Sequence, residues 1–332
     1  MSIYYKGQPG EAKKNGKVQL PPPTRDKLDD PADYIAATGL SDAVDVAIIL
    51  GQPLLLTGEP GTGKTLLAYA VGEELGLETH KFETKSTSTA RDLFYIYDTV
   101  GRFQARQTEN EEIDRIKYIT YNALGKAILL ANEEKDVKNW LPQDFGHNGK
   151  WPSRSIVLID EVDKAPRDFP NDILNEIEGM YFKVTELGNK RFEADKKMLP
   201  IVIITSNSEK HLPDAFLRRC VFYNIKFPDK DTMKEIIERR VGEHVKNSKE
   251  FFNNALGLFY ELRESRTGLQ KKPATAELLG WIIALKDTNK NVANPISKKN
   301  KDKVLNSLSV LIKNTEDIRQ AEKAATQWLE KN

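Results

Sequence analysis

The sequence predicts an α/β domain built on a parallel sheet, followed by a smaller all-helical domain. Three observations predict it. A run of leucines passes directly into a glycine-rich stretch, "LLLTGEPGTGKT", at residues 54–65. Short β-rich apolar runs then alternate with helical patterns as far as residue 228, and beyond that proline only helical patterns follow.

The elements come in order. Residues 1–30 carry "PPPTRD" and little periodicity, which reads as an extended arm ahead of the folded domain. The α/β domain is expected over 31–228, with strands at 53–57, 80–84, 155–159, 201–205 and 221–225. Between the first two strands, "KTLLAYAVGEELG" has apolar positions at helical spacing and a glycine suited to the C-terminal cap. The stretch 85–154 is too long for a plain crossover, so inserted structure is expected there, mobile in part. It holds the aromatic cluster "FYIYD", a long helix candidate over 111–134 and the loop "WLPQDFGHNGKW". A second insert is expected over 181–195, where Gly188 and Asn189 separate two β-prone arms as in a hairpin. Over 229–332 five segments, from "DKDTMKEIIERRV" to "TEDIRQAEKAATQWLEK", each carry an apolar stripe and an N-cap residue.

Composition removes several function classes. At 332 residues there is material for two domains and a sizeable core, and 50 basic against 49 acidic residues leave no global field to draw the chain onto nucleic acid or an anionic membrane. The single cysteine, Cys220, excludes an internal disulfide framework and fits a reducing compartment. No apolar run reaches spanning length and the start lacks the apolar core of a signal peptide, so the reading is a soluble, cytoplasmic protein.

The chemistry concentrates at strand ends. Gly58, Gly63, Lys64 and Thr65 match glycine, four residues, then glycine, lysine and threonine, after an apolar strand and opening a helix. There, successive backbone N–H groups and the positive helix end converge on phosphate oxygens. Gly61 and Gly63 let the chain approach closely. The candidate phosphate-contacting set is Gly58, Glu59, Pro60, Gly61, Thr62, Gly63, Lys64, Thr65 and Leu66, with Lys64 reaching the β- and γ-phosphates and Thr65 holding magnesium. In "SIVLIDEVDKAP" a buried strand ends in Asp160 and Glu161, which must emerge at the carboxyl end of the sheet. Asp160 is placed for the magnesium shell, and Glu161 for polarising the water that attacks the γ-phosphate. "IVIITSN" delivers Asn207 to the same edge as a contact to water or γ-phosphate. Arg218 and Arg219 end a short helix, where they either complement its dipole or project into a neighbouring subunit's nucleotide.

With "GEPGTGKT", "VLIDEVD", "TSN", "LRRC" and a trailing helical segment, the chain resembles an AAA+ ATPase, a P-loop NTPase. "RDLFYIY", "NDILNEIEGMYFKV" and "KKPATAELLGW" are more particularly similar to the MoxR family. The resemblance runs from about residue 31 to the last residue. It implies a five-stranded parallel sheet in order 5-1-4-3-2, a small all-helical lid, ATP and Mg²⁺ as cofactors, and a ring, commonly a hexamer, with nucleotide between protomers. Carried over by position, Asn207 resembles sensor 1 and Arg219 the arginine finger, with Arg218 beside it. The second sensor has no clean match, because Ala274 follows the proline of "KKPATAEL"; Lys272, Lys271 or Arg266 are the substitutes. The family's partner is often a von Willebrand factor A domain protein, which implies a chaperone-like motor that remodels or activates a protein. Basic stretches such as "NKRFEADKK" and "SKKNKDK" keep open a nucleic-acid-directed motor of restriction or defence type, and ring assembly as the sole output keeps open a nucleotide-dependent switch.

Overall fold

The computed structural model describes residues 20, 28, 30–108, 114–208, 212–245, 248–289 and 292–332; the expected arm over 1–30 lies almost wholly outside them. The chain divides into two units, one over 34–227 and one made of 1–33 together with 228–332.

In the first unit, the expected strands form as β1 (Leu54–Thr57), β2 (Glu78–Glu83), β5 (Ser155–Asp160), β8 (Ile201–Thr205) and β9 (Val221–Asn224), with four further strands between them. These are β3 (Tyr95–Tyr97), β4 (Ile119–Tyr121), β6 (Tyr181–Val184) and β7 (Lys190–Glu193). The five long-range partners make one parallel sheet, β2-β5-β8-β1-β9. Its labels differ from the expected 5-1-4-3-2 because two antiparallel pairs, β3-β4 and β6-β7, interrupt the count; numbered within the sheet alone, its members read 5-1-4-3-2 from the β9 edge. Central strands β1, β5 and β8 are buried along their whole length, as their unbroken apolar runs require.

Alternation along each strand sends neighbouring side chains to opposite faces. On one face Leu54, Leu56, Ile156, Leu158 and Ile203 pack with α1 (Thr38–Leu50) and α2 (Lys64–Leu75) through Leu40, Val44, Leu67 and Val71. α2 ends where Gly76 adopts the left-handed conformation and its N–H returns to the carbonyl of Glu73. On the other face Leu55, Val157, Ile159, Val202 and Ile204 pack under the 85–154 insert and the β6-β7 pair.

That insert departs from the single helix expected over 111–134. Residues 109–113 lie outside the described residues. After them come a 3₁₀ turn (Arg115–Tyr118), strand β4, and α4 (Ala123–Leu130), preceded along the chain by α3 (Thr99–Thr108). Ile119 and Tyr121 point inward with Thr120 outward, a period of two that pairs β4 antiparallel to β3. The helical pattern begins only at Ala123, and α4 is buried almost all round against β2 and β5. The expected hairpin at Gly188 and Asn189 forms as β6-β7, with both residues at positive φ (70° and 61°) in its connection. Two short helices, α5 (Leu174–Gly179) and α6 (Asp214–Leu217), lie before β6 and before β9.

The second unit contains α7 (Lys230–Val245), α8 (Lys249–Arg263), α9 (Thr275–Thr288), α10 (Lys301–Ser307) and α11 (Thr315–Lys331). Ser248 caps α8 by accepting from the Phe251 N–H, and Asn314 caps α11 by accepting from Glu316 and Asp317. Phe251, Phe259, Trp281, Ile282 and Leu329 are buried among these helices, and the Trp281 indole donates to Ser307 Oγ at 2.7 Å. The 3₁₀ turn at Pro31–Asp33 packs on α7, so the last residues before Tyr34 belong with these helices. Among the described residues no helix is long and apolar enough to cross a membrane.

Candidate functional site

The loop between β1 and α2 is held by its backbone. Gly58 sits at φ 141°, and a Cβ there would lie 2.4 Å from the Ile225 carbonyl oxygen; Gly63, at φ 88°, passes beneath the Tyr34 ring, which a Cβ would meet at 3.0 Å. The Thr62 hydroxyl donates to the Glu59 carbonyl at 2.9 Å, so this buried side chain staples the loop rather than pointing outward. Lys64, the first residue of α2, donates to the carbonyls of Gly58 (2.8 Å) and Glu59 (3.0 Å). Burial draws the Lys64 pKa below its usual value, against the pull of Asp163, Glu161 and Asp160 nearby.

β5 brings the acidic pair to this loop. Asp160 Oδ1 accepts from the Thr65 hydroxyl at 2.8 Å and from the Thr205 hydroxyl at 2.7 Å, while Oδ2 pairs with the Lys81 ammonium at 2.9 Å. Burial pushes this carboxyl upward, but the bonds from Lys81, Thr205 and Thr65 outweigh it and hold the pKa below the usual carboxylate range. Glu161 takes a left-handed backbone (φ 56°), its N–H donates to Thr205 Oγ1 at 2.8 Å, and its carboxylate meets the Lys164 ammonium. Asn207 is tied in through its backbone, whose N–H donates to Asp163 Oδ1 at 3.1 Å.

Of the residues singled out from sequence, Lys64, Thr65, Asp160 and Glu161 are therefore gathered at the carboxyl edge of the sheet, with Asn207 one hydrogen bond away through Asp163. Glu59, Pro60 and Gly61 line the exposed rim of the loop, and Leu66 is half-buried on the first turn of α2. Arg219 is engaged elsewhere in its own chain: Nε pairs with Glu178 of α5 at 2.9 Å, and Nη1 donates to the Ala215 carbonyl at 3.0 Å, while Arg218 is exposed at the end of α6. Lys272 is exposed ahead of α9 in the helical unit, where Arg266 pairs with Glu261 at 2.6 Å and the Lys271 N–H donates to Asp317. The sequence reading missed Lys81, Thr205, Asp163, Lys164 and Glu178. Thr205 sits in the quoted "TSN", so its signal was a hydroxyl on the last residue of the strand; Lys81 reads as an ordinary solvent-facing strand residue.

A magnesium nucleotide fits what is here. At Gly58 a Cβ would strike the Ile225 carbonyl, so glycine lets the loop follow this path, and Thr65 and Asp160 supply the hard oxygen donors that Mg²⁺ takes in small number beside phosphate oxygens. Among the described residues no group of three or more His, Cys, Asp and Glu gathers as a separate metal site.

A model of the ATPase family associated with various cellular activities (AAA) matches residues 54–228, which spans β1 to just past β9 and so takes in every element of the site. The chain belongs to the AAA family. Nucleotide binding and hydrolysis are the general property of AAA ATPases, and the matched span contains the loop and the acidic pair described above. Among solved structures it is similar to the Holliday junction branch migration motor RuvB of Thermotoga maritima, 17% identical over 82% of this chain and 67% of that one, with a TM-score of 0.44. A variant of the same protein is 17% identical over 87% of this chain and 75% of its own, with a TM-score of 0.48. None of the curated proteins matches this AAA chain.

Proposed function

We propose that this AAA ATPase is a motor of MoxR type, which hydrolyses ATP within an oligomeric ring, a hexamer, to remodel or activate a protein partner of the von Willebrand factor A kind. The observation that carries the reading is the Thr65–Asp160 hydrogen bond, 2.8 Å, which joins the head of α2 to the end of β5 with Glu161 next in line. In this reading the nucleotide-binding domain is the expected 31–228 less Pro31–Asp33, which pack with the helices, 229–332 is its lid and 1–30 an arm.

In this reading the amides of Gly61, Thr62 and Gly63 bind the phosphates, and Lys64 leaves the carbonyls of Gly58 and Glu59 for the β- and γ-phosphates. Thr65 and Asp160 would hold Mg²⁺, which supplies charge neutralisation to the phosphates. Glu161 orients the attacking water and takes its proton, for which its carboxylate must leave Lys164. Asn207 holds the water or the γ-phosphate from the neighbouring strand end. Arg219 exchanges Glu178 for the γ-phosphate of an adjacent protomer, with Arg218 beside it, and Lys272 contacts phosphate from the lid.

The test is the mass of Glu161→Gln protein by light scattering, without nucleotide and with Mg-ATP, alongside its turnover. A ring that assembles with ATP and hydrolyses it at least about 100-fold slower than the parent supports the reading. A monomer that binds ATP without assembling refutes the ring, and undiminished turnover refutes Glu161. Lys64→Ala should bind no ATP; unchanged affinity removes the loop from the site.

A further inference from the structure

The two oxygens of Asp160 are used differently. Oδ1 takes two neutral hydroxyls, from Thr65 and Thr205, whereas Oδ2 takes a full positive charge from Lys81 at 2.9 Å. Both Thr65 and Thr205 donate their protons to the carboxylate; Thr205 Oγ1 also accepts from the Glu161 N–H at 2.8 Å, whereas the Thr65 oxygen keeps lone pairs for a cation. The ammonium has no such second use: it neutralises the charge that a divalent cation would seek.

The position of Lys81 follows from register. β2 and β5 run parallel with Lys81 beside Leu158 and Glu83 beside Asp160, so Lys81 lies on the same face as Asp160, the face covered by α2. Its long side chain reaches forward along the strand to the carboxyl edge. The pair is partly withdrawn from water, with 34% of the lysine side chain and 7% of the aspartate side chain exposed. The adjacent Glu161–Lys164 pair is a local i,i+3 contact at 32% and 54% exposure, where solvent competes and little is gained. Of these two lysines, Lys81 is thus the one with leverage on the carboxylate it meets.

We infer that Lys81 sets the magnesium affinity of the nucleotide site by competing with the divalent cation for the charge of Asp160. This rests on the nucleotide-site reading above and adds to it a second cation on the proposed metal-facing carboxylate. Its effect is to raise the Mg²⁺ concentration at which magnesium nucleotide loads, because two like charges beside one carboxylate repel each other.

The experiment uses the full chain and a fluorescent N-methylanthraniloyl ATP, first in EDTA and then titrated with MgCl₂. In Lys81→Met the half-saturating Mg²⁺ should fall by about five-fold while affinity in EDTA stays unchanged; Lys81→Arg, which keeps the charge, should follow the parent. Lys81→Gln is the second neutral variant should the methionine not fold, each being checked by thermal melt. A folded neutral variant with the parent's half-point, or a higher one, overturns the inference, and so does a loss of affinity in EDTA, which would assign Lys81 to phosphate. Failure of the underlying reading looks different: the parent would then bind no analogue, or Lys64→Ala would bind it as the parent does.

Discussion

The two faces of the central sheet are built from different material. Beneath α1 and α2 the packing is aliphatic, with Leu40, Val44, Leu67, Val71, Ile156 and Leu158 below a loop whose polar groups are paired one by one. The opposite face is aromatic: Phe94, Tyr95, Tyr121, Phe182 and Phe192 interlock there, and Trp140, Phe145 and Trp151 pack against them from the 140–151 loop. This second face is mass burial, contributed largely by both inserts. The difference teaches that the inserts stabilise the sheet from behind, while the chemistry depends on constrained backbone and paired charge in front.

Separation of the two faces can be broken most severely at Phe182, which is 2% exposed and lies 5.4 Å from Phe94 and 5.3 Å from Phe192 between ring centroids. Phe182→Ala should cost about 3–5 kcal/mol in denaturant unfolding. ATP affinity of the protein that remains folded should not change; a parallel loss of affinity would mean that the aromatic face positions the loop. The converse substitution is Gly58→Ala. With φ at 141° and the Ile225 carbonyl 2.4 Å from the new Cβ, the loop must shift. Binding of ATP by calorimetry should weaken about ten-fold or more, at a stability cost of about 1–3 kcal/mol. Retained affinity would show that the loop tolerates movement.

The smallest effect concerns His80 on the aromatic side of β2. Burial, opposed by Glu78 and aided by Lys126, lowers its pKa below the usual histidine value, and Nε2 has no hydrogen-bond partner among the described residues. The unfolded chain therefore binds this proton at a higher pH than the native one does. Stability is fully present above the unfolded pKa of about 6.5 and is lost as pH falls from there through the lowered native value. In His80→Gln the melting temperature should vary less with pH over that window; an unaltered slope would exclude His80 as its source. Asp160 acts in the same sense at lower pH, since its lowered pKa gives stability that is lost only as the carboxylate protonates.

Much of the front face was legible because its signals are local. A buried apolar strand followed by glycine, lysine and threonine has one way to end, and a second such strand ending in two carboxylates must deliver them to the same edge. The five strand positions, the helix after the loop and the Gly188–Asn189 hairpin were read from such short patterns. The 111–134 stretch was misread for the complementary reason. "RIKYITYNALGKAILL" is apolar enough for a helix throughout, and only pairing with β3, some twenty residues earlier, selects the strand over Ile119–Tyr121.

By itself, then, the sequence determined which residues carry the candidate chemistry: Lys64 and Thr65 at the head of a helix, Asp160 and Glu161 at a strand end, Asn207 at another. Tertiary structure alone decided what each of them touches. It put Lys81 on Asp160, Thr205 between Asp160 and Glu161, and Glu178 on Arg219. Each of these contacts depends on the register of parallel strands or the meeting of helices far apart in the chain. A residue's own neighbours fix its secondary structure, but a parallel pairing is joined only through a long crossover, so nothing local records which side chains it will bring together.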